Sequence, residues 1–421
     1  MRLCILALLA LPILACSSGP GDNPGSGEGL TYYADVAPVL ETYCTRCHSA
    51  AGQGPGNFDD PDTVVSMGEL IVGAVAAGLM PPPAADPTCA DYVGSERMVI
   101  PDEAKTLLSE WVADGKQLGS PEEAVTVAPW DTELDDADTF LEMAFPYTPA
   151  FDDPANPGNE YRCFILENDR TEPFYVTAYA PSLGVPELVH HIVVFLADKD
   201  EEIPGYEEET GVDCINNVGV GAERMLAGWA PGMLPVRLPE GRGIQILPSQ
   251  NIVIQMHYYD NGTYDGAADQ SGYALKTVSD VDVPLLMLPA GANGFAIPAG
   301  DSSYSHSEDF ELPAGLGGKI YTTFPHMHVL GKSYDMTIEH SDGSTTCVSR
   351  AEAYDFDNQL SYALLEPIPL TGGDILRQTC TWDNSTSNPD LIHDPPVDTF
   401  YGERTDEEMC FTFLLASIFE F

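Results

Sequence analysis

Residues 251–262 read NIVIQMHYYDNG, and this stretch decides the fold class of most of the chain. Its residues are largely β-branched or aromatic, apolar and polar positions alternate, and the closing Asp-Asn-Gly is typical of a turn. Similar short runs, separated by turns rich in Gly, Pro, Asn and Asp, recur throughout 130–421, as in FYVTAYAP (174–181), HHIVVFLAD (190–198) and GKIYTTFPHMHVLG (318–331). This sequence pattern predicts antiparallel β-sandwiches, and the length of the region suits two of them, at 131–288 and 289–421.

The region before these strands, residues 31–119, has a different pattern that predicts helices at both of its ends. Near its start, Val36, Val39 and Leu40 fall close to helical spacing, and near its end a helix is expected to begin at Pro101 and Asp102. Residues 120–130 read as a linker. The sequence therefore predicts a multidomain chain, in which a small all-α domain precedes two all-β sandwiches of the jelly-roll type.

The N-terminus reads MRLCILALLALPILAC (1–16), in which an apolar run too short to span a bilayer follows a single Arg. We interpret residues 1–15 as a signal peptide. The segment ILAC (13–16) resembles a bacterial lipobox, which implies cleavage before Cys16 and lipidation of its thiol, and Ser17 favours anchoring to the outer membrane of a Gram-negative bacterium. Residues 16–30 would then be a flexible tether, and the lipid would be the protein's contact with the membrane. The alternative is a plain secretory signal with an incidental cysteine.

The chain is strongly acidic, with 66 Asp and Glu against 17 Lys and Arg and a formal net charge of -49. Such a surface repels nucleic acid, so we expect no nucleic-acid partner. Solubility is the ordinary interpretation of the charge, and steering of a basic partner is the functional alternative.

Residues 44–48 read Cys44-Thr-Arg-Cys47-His48, a spacing that lets two thiols bind the haem vinyl groups beside an axial imidazole. We therefore predict one covalently bound haem c, with a disulfide or a zinc site as alternatives. Met80, in GLMPPP (78–83), is the best candidate for the second axial ligand, because the prolines stiffen the chain after it. Met67 and Met98 are its rivals, and core packing is the ordinary role of each methionine.

This region resembles small class I cytochromes c in its terminal helices, haem motif and Met-Pro-Pro loop. The resemblance implies a His/Met-ligated haem that transfers electrons and has no open position for oxygen.

Five histidines fall in three tight groups. His326 and His328 lie two apart in a strand and therefore point the same way, so that they can chelate one ion. His257 lies inside the alternating strand. Adjacent His190 and His191 would point in opposite directions in a regular strand, so binding of one ion by both needs a strand end or a bulge. Imidazole suits copper, zinc, iron or nickel, so the ligand type alone does not name the metal.

From about Tyr161 to Leu415 the chain resembles the copper type II, ascorbate-dependent monooxygenases, the family of the peptidylglycine α-hydroxylating and dopamine β-monooxygenases. The matching elements follow the family's order: the His-His pair (190–191), Gln-x-His-Tyr (255–258), His-x-His (326–328) with a Gly turn, and the acidic segment DEEMC (406–410). The resemblance implies two copper ions, one held by His190, His191 and His257 and the other, catalytic one by His326, His328 and Met409.

The family reaction inserts one oxygen atom of O₂ into a C–H bond of a small-molecule substrate, with electrons from an external donor. The resemblance implies that the two sandwiches each supply one copper, across a solvent-accessible cleft. It also implies two disulfides, Cys163–Cys214 and Cys380–Cys410. Cys89 and Cys347 are left without an assigned partner, and a pair across domains is one option.

One departure from the family bears on the substrate. The peptide-amidating enzymes hold a substrate carboxylate with Arg, Asn and Tyr, and the matching positions here are Phe324, Phe411 and Phe413. We therefore predict an apolar or aromatic substrate that these phenylalanines contact. The fused haem would donate or relay electrons in place of ascorbate. The alternative is a non-catalytic haem and copper protein that carries electrons or handles copper, and a structural zinc protein ranks third.

Overall fold

The computed structural model describes residues 29–50, 52, 54–153, 158–214, 224–260, 262, 264–402, 404–418 and 420. The proposed signal peptide, the lipidation site Cys16 and nearly all of the tether lie outside these residues. In the part of the chain that is described, no helix is both long enough and apolar enough to cross a membrane.

Residues 29–130 form a helical lobe. A π-helical turn (Tyr32–Val36) leads into α1 (Ala37–Tyr43), and α2 (Pro61–Ala76) and α3 (Asp102–Ala113) follow, with short 3₁₀ turns at Ser95–Arg97 and Pro121–Glu123. Leu40, Leu108 and Trp111 pack together in its core. The helices predicted at both ends are confirmed. The sequence reasoning missed α2, which begins after Asp60, whose carboxylate accepts a hydrogen bond from the Thr63 amide in the manner of an N-cap.

Strands dominate the rest of the chain, as the alternating pattern predicts. The first ten strands are β1 (Thr139–Glu142), β2 (Asn159–Leu166), β3 (Phe174–Ser182), β4 (Val189–Asp198), β5 (Val212–Asp213), β6 (Met225–Trp229), β7 (Val236–Arg237), β8 (Arg242–Ile246), β9 (Gln250–Tyr259) and β10 (Gly272–Val278), with a 3₁₀ turn (Pro186–Leu188) before β4. The second ten are β11 (Val283–Ala292), β12 (Ala296–Ile297), β13 (Tyr304–Glu311), β14 (Gly317–His326), β15 (Gly331–Glu339), β16 (Thr345–Ala351), β17 (Tyr362–Thr371), β18 (Ile375–Trp382), β19 (Thr399–Phe400) and β20 (Cys410–Ile418).

The strands build two sandwiches. In the first, the sheet β5-β2-β9-β4-β6 packs against β1-β10-β3-β8, and apolar side chains such as Ile254 and Tyr273 fill the space between them. In the second, β13-β18-β15-β16 packs against β11-β20-β14-β17, with Ile320 and Met336 in its core. The all-β part of the predicted fold class is confirmed.

Strand β11 belongs to both sandwiches. Its residues 283–285 pair in parallel with β8, and its residues 286–292 pair antiparallel with β20. One continuous sheet therefore runs from the first sandwich into the second. The boundary that the sequence predicts between residues 288 and 289 falls inside this strand.

The helical lobe is docked on both sandwiches. Cys89 forms a disulfide with Cys347 of β16, which answers the question that the sequence left open about these two cysteines. The Val93 amide donates a hydrogen bond of 2.9 Å to the Ala363 carbonyl in the second sandwich. The Arg46 guanidinium donates one of 2.8 Å to the Gly232 carbonyl in the first.

Glu420 ties the two sandwiches together near the end of the chain. Its carboxylate accepts hydrogen bonds from Arg242 of β8 at 2.6 Å and from Tyr321 and Lys319 of β14 at 2.7 and 3.2 Å. Burial alone would raise the pKa of Glu420, but the hydrogen bonds from Tyr321, Ser417, Arg242 and Lys319 lower it to about 2. The ionised form is therefore the one that the fold stabilises.

We expect this carboxylate to make folding stability depend on pH. The pKa of Glu420 is about 2 in the folded chain and 4.5 for a free glutamate. The stabilisation that the ionised carboxylate gives the fold is therefore complete above pH 4.5 and is lost as the pH falls toward 2. Its size is about 2–3 kcal/mol. Urea unfolding of wild type and Glu420→Gln at pH 7, 4 and 3 should show the two curves converging in acid. If the difference in the free energy of unfolding between wild type and Glu420→Gln were the same at all three pH values, and equal to that of the exposed control Glu366→Gln, the prediction would be wrong.

Candidate functional site

The structure brings His190, His191 and His257 together. The Nδ1 atom of His191 lies 3.2 Å from Nδ1 of His190 and 3.3 Å from Nδ1 of His257, and the ligand atoms of the three residues lie within 4.8 Å of one another. Nitrogen atoms that bind one ion at about 2.0–2.1 Å in tetrahedral geometry stand about 3.3 Å apart. This three-histidine cluster therefore has the spacing of a mononuclear metal site.

A β-bulge explains how two adjacent histidines reach one site. In the pairing of β4 with β9, Val189 faces Tyr258 and His191 faces His257, so that His190 is an extra residue between them. The bulge turns His190 toward the side on which His191 points. The sequence prediction of a bulge or strand end is confirmed, and Tyr258 points away from the cluster into the core.

The Nε2 atoms of His190 and His257 also have hydrogen-bond partners. His190 Nε2 lies 3.1 Å from Asp357 Oδ1, and His257 Nε2 lies 2.7 Å from Asn159 Oδ1. The Tyr161 ring stacks on His257 with centroids 4.1 Å apart. These acceptors favour the tautomer in which Nε2 carries the proton, which leaves the Nδ1 lone pairs for a metal ion.

Burial keeps the imidazoles of His191 and His257 neutral. It lowers the pKa of His191 and of His257 well below the ordinary value, and the neighbouring histidines lower both further. Neutral imidazole is the form that binds a metal ion.

The second histidine group lies at the end of β14. The rings of His326 and His328 have centroids 5.2 Å apart. His326 Nδ1 is hydrogen-bonded to Gln359 Oε1, and His328 Nδ1 lies 3.0 Å from the Glu407 carbonyl oxygen. These bonds leave both Nε2 atoms for a ligand, the reverse of the three-histidine cluster. Burial lowers the pKa of His326 to about 4 and that of His328 to about 3.

Met409 lies immediately before β20, the strand that pairs with β14. His326 pairs with Phe411 at the end of the antiparallel ladder of β14 and β20, and Met409 lies two residues before Phe411. The backbone amides of His328 and Met409 donate hydrogen bonds of 3.0 and 3.2 Å to the same oxygen of the Glu408 carboxylate, so Met409, the predicted thioether ligand, lies near His328. We refer to His326, His328 and Met409 as the Met-bearing group.

Glu408 organises the backbone around this group. Its carboxylate is fully buried and accepts hydrogen bonds from the amides of His328 (3.0 Å), Leu330 (2.7 Å) and Met409 (3.2 Å) and from the Trp382 indole (2.8 Å). Burial raises the pKa of Glu408 to about 7, although these donors oppose the rise. The sequence pattern places Glu408 in the acidic segment and indicates no role for it.

The two disulfides that the family resemblance implies are present. Cys163 is bonded to Cys214, and Cys380 is bonded to Cys410, the neighbour of Met409. The second bond ties the start of β20 to β18 and so fixes the backbone next to the Met-bearing group.

The three phenylalanines predicted to contact substrate lie where the sandwiches meet. Phe324 and Phe413 are buried, and with Phe411 they pack against Phe195, Met225 and the Cys163–Cys214 disulfide of the first sandwich. The ring centroids of Phe324 and Phe413 also lie 6.3 and 6.5 Å from that of His326. These side chains therefore hold the sandwiches together and give His326 an apolar surrounding.

A cavity of about 840 Å³ joins the helical lobe to the three-histidine cluster. Cys44, Cys47, His48 and Met80 line its lobe side, and His190 and His257 line the opposite side. Among the described cysteines, Cys44 and Cys47 are the two with free thiols. His48 Nδ1 lies 2.8 Å from the Pro55 carbonyl, which leaves its Nε2 free for a ligand. The residues predicted to bind haem thus share one cavity with the cluster.

Phe356 lies between the two histidine groups. Its ring centroid is 5.9 Å from that of His190 and 6.2 Å from that of His328. The resemblance implies an open cleft between two copper sites, whereas an aromatic side chain contacts both groups here. Neither Phe356 nor the partners Asn159, Asp357 and Gln359 carry a sequence signal, because each is a common residue type far along the chain from the histidine that it contacts.

Comparison with solved structures finds weak resemblances. The major capsid protein P2 of bacteriophage PM2 is 9% identical, with a TM-score of 0.27, over 67% of this chain and 98% of that one. The VP2 subviral particle of infectious bursal disease virus is 12% identical, with a TM-score of 0.17, over 69% and 83%. These scores are too low to support an argument. No curated protein matches the chain.

Comparison with family profiles is decisive. The profile of the copper type II ascorbate-dependent monooxygenase N-terminal domain matches residues 148–264, and that of the C-terminal domain matches residues 289–416. Together they cover more than half of the chain, and each contains one of the two histidine groups. The chain therefore belongs to the copper type II ascorbate-dependent monooxygenase family.

Proposed function

We propose that the protein is a copper-dependent monooxygenase that uses O₂ and an external reductant to hydroxylate a C–H bond of a small apolar or aromatic substrate. The observation that carries the proposal is the pair of dissimilar donor sets, one in each family domain. One offers three Nδ1 atoms, and the other offers two Nε2 atoms near the backbone of Met409. Copper bound at both sets would supply the activation of O₂ and the storage of an electron.

The chain's own residues would divide this work. His190, His191 and His257 would hold the copper that stores an electron, and the hydrogen bonds of His190 and His257 fix the orientation of their rings. His326, His328 and Met409 would hold the catalytic copper. The thioether of Met409 favours Cu(I), the state that reacts with O₂. A structural or storage protein has no need for two such different sites.

The apolar surrounding of His326 supports the choice of substrate. Phe324 and Phe413 lie beside His326 and offer neither a charge nor a hydrogen bond to a carboxylate. A substrate that reaches this copper would therefore be bound by apolar contact. Turnover of a glycine-extended peptide at the rate of an aromatic substrate would contradict this part of the proposal.

The helical lobe would serve as a cytochrome c domain. The free thiols of Cys44 and Cys47 would attach the haem, and His48 and Met80 would be its axial ligands; all four line the shared cavity. Haem bound there would supply a one-electron donor or relay. The fit is supported by the His48 to Pro55 hydrogen bond, which orients the imidazole with Nε2 free.

We also propose that the protein is exported and lipid-anchored through Cys16, on the outer membrane of a Gram-negative bacterium. The three disulfides support export, because such bonds persist in oxidising compartments.

Metal analysis paired with O₂ uptake tests the proposed function. Full-length protein is expected to contain two coppers and one haem per chain, and its O₂ uptake with ascorbate should rise when a small aromatic substrate is added. The Cys44→Ser, Cys47→Ser double variant should lose the covalent haem and keep both coppers. Two coppers without substrate-coupled uptake would favour the electron-carrier or copper-handling alternative, and the absence of copper would refute the proposal.

A further inference from the structure

One loop of the second sandwich reaches three functional regions at once. Residues 354–359 (YDFDNQ), between β16 and β17, form this bridging loop. Asp357 contacts His190 of the three-histidine cluster, and Gln359 contacts His326 of the Met-bearing group. The side-chain amide of Asn358 donates a hydrogen bond of 2.8 Å to the Pro83 carbonyl, in the proline run that follows Met80.

We propose that the bridging loop completes the three-histidine site from the opposite sandwich, with Asp357 as the positioning residue for His190. This inference rests on the proposed function, since it concerns how the same site is built. It makes the site an interdomain one: three ligands come from the first sandwich, and the carboxylate that orients one of them comes from the second.

The need for such a residue follows from the bulge. His191 and His257 face each other in the β4–β9 ladder, so backbone pairing holds both. His190 is the extra residue of the bulge and has no opposite partner in that ladder. Its ring is held instead by the bridging loop, through the Asp357 carboxylate at 3.1 Å and the nearly parallel Phe356 ring, inclined by 27°. A carboxylate that accepts the Nε2 proton also makes the Nδ1 atom a better donor to a metal ion.

The loop is itself fixed to the Met-bearing group. The Tyr354 hydroxyl donates a hydrogen bond to the Met327 carbonyl at 2.9 Å and accepts one from the Met327 amide at 3.0 Å, and Met327 lies between the two histidines of that group. Gln359 accepts from His326 and donates to the Phe356 carbonyl at 2.9 Å. The Asp357 amide is held by the Asp355 carboxylate at 2.9 Å. The position of Asp357 thus depends on the second histidine group.

Copper binding to the full-length protein tests the inference without any measurement of turnover. Asp357→Ala is expected to weaken one of the two copper sites by about 10- to 100-fold, the usual effect of losing such a partner, and to change the electron paramagnetic resonance signal of that Cu(II). Asp357→Asn keeps a hydrogen-bond acceptor and should recover part of the affinity. Asp390→Asn is the matched control, because Asp390, like Asp357, is an exposed carboxylate, and the contact with His190 is made by Asp357. Loss of the Asp390 carboxylate should leave both sites unchanged.

A second variant tests the end of the bridging loop that is hydrogen-bonded to Met327 and not to the three-histidine cluster. Tyr354→Phe removes both hydrogen bonds to Met327 and should also weaken the three-histidine site. If Asp357→Ala binds two coppers with wild-type affinity and spectrum, the inference is wrong while the proposed function stands. Wild-type protein that takes up no copper at His190, His191 and His257 would overturn both.

Discussion

His257→Ala is expected to lose the copper of the three-histidine cluster and nearly all hydroxylation with it. His257 is almost fully buried, faces His191 in the ladder and is oriented by Asn159, so no other imidazole can take its place. A bound metal ion contributes several kcal/mol to a reaction of this kind, which corresponds to a fall in turnover of at least about 100-fold. Metal content and product formation per O₂ consumed measure the result.

The control for this variant is His340→Ala. The ring nitrogens of His340 lie 3.1 Å from Asp374 and 2.8 Å from Thr346, and it belongs to neither histidine group. It should retain two coppers and normal turnover. Met409→Ala should remove activity by emptying the other site, and its remaining copper should carry the spectrum of the three-histidine cluster. A His257→Ala protein that keeps two coppers and full turnover would refute the assignment.

Glu408→Leu is expected to destabilise the fold by at least about 4 kcal/mol and to abolish copper binding by the Met-bearing group. Leucine fills the space of the side chain but leaves three backbone amides and the Trp382 indole without their acceptor. Each buried donor without a partner costs about 1–3 kcal/mol. Urea unfolding of the copper-free protein measures the structural loss separately from any effect of metal.

The copper content of the Glu408 variants then measures the effect on the Met-bearing group. Glu408→Gln retains one acceptor oxygen and should fall between wild type and Glu408→Leu in both measurements. Glu366→Leu, an exposed position on β17, should change stability by no more than about 0.5 kcal/mol. If Glu408→Leu unfolds at the same urea concentration as wild type, the carboxylate does not organise the site.

The grouping of the histidines could be predicted from the sequence because local geometry constrains it. The two-residue period of a strand places His326 and His328 on one face, and the adjacency of His190 and His191 requires the bulge that β4 contains. The family resemblance supplied what spacing cannot, namely that the two groups belong to two paired domains.

The partners of the ligands could not be predicted in this way. Asp357 is 167 residues from His190 along the chain, and its role arises from the packing of one sandwich against the other. The same holds for the Cys89–Cys347 disulfide, whose members are 258 residues apart. The three phenylalanines show the converse case: the sequence predicted contacts with substrate, and the fold packs these side chains in the contact between the sandwiches.

Strand β11 has a mechanical consequence. Proteins whose lobes swing apart do so about a few loop residues that absorb the change in backbone angle, but here the chain crosses from one sandwich to the other within a strand. That strand is hydrogen-bonded to β8 over 283–285 and to β20 over 286–292. A swing at this crossing would break ladder hydrogen bonds on one side of it. The spacing of the two histidine groups is therefore set when the protein folds, and in the proposed mechanism electrons would cross the same gap in every turnover.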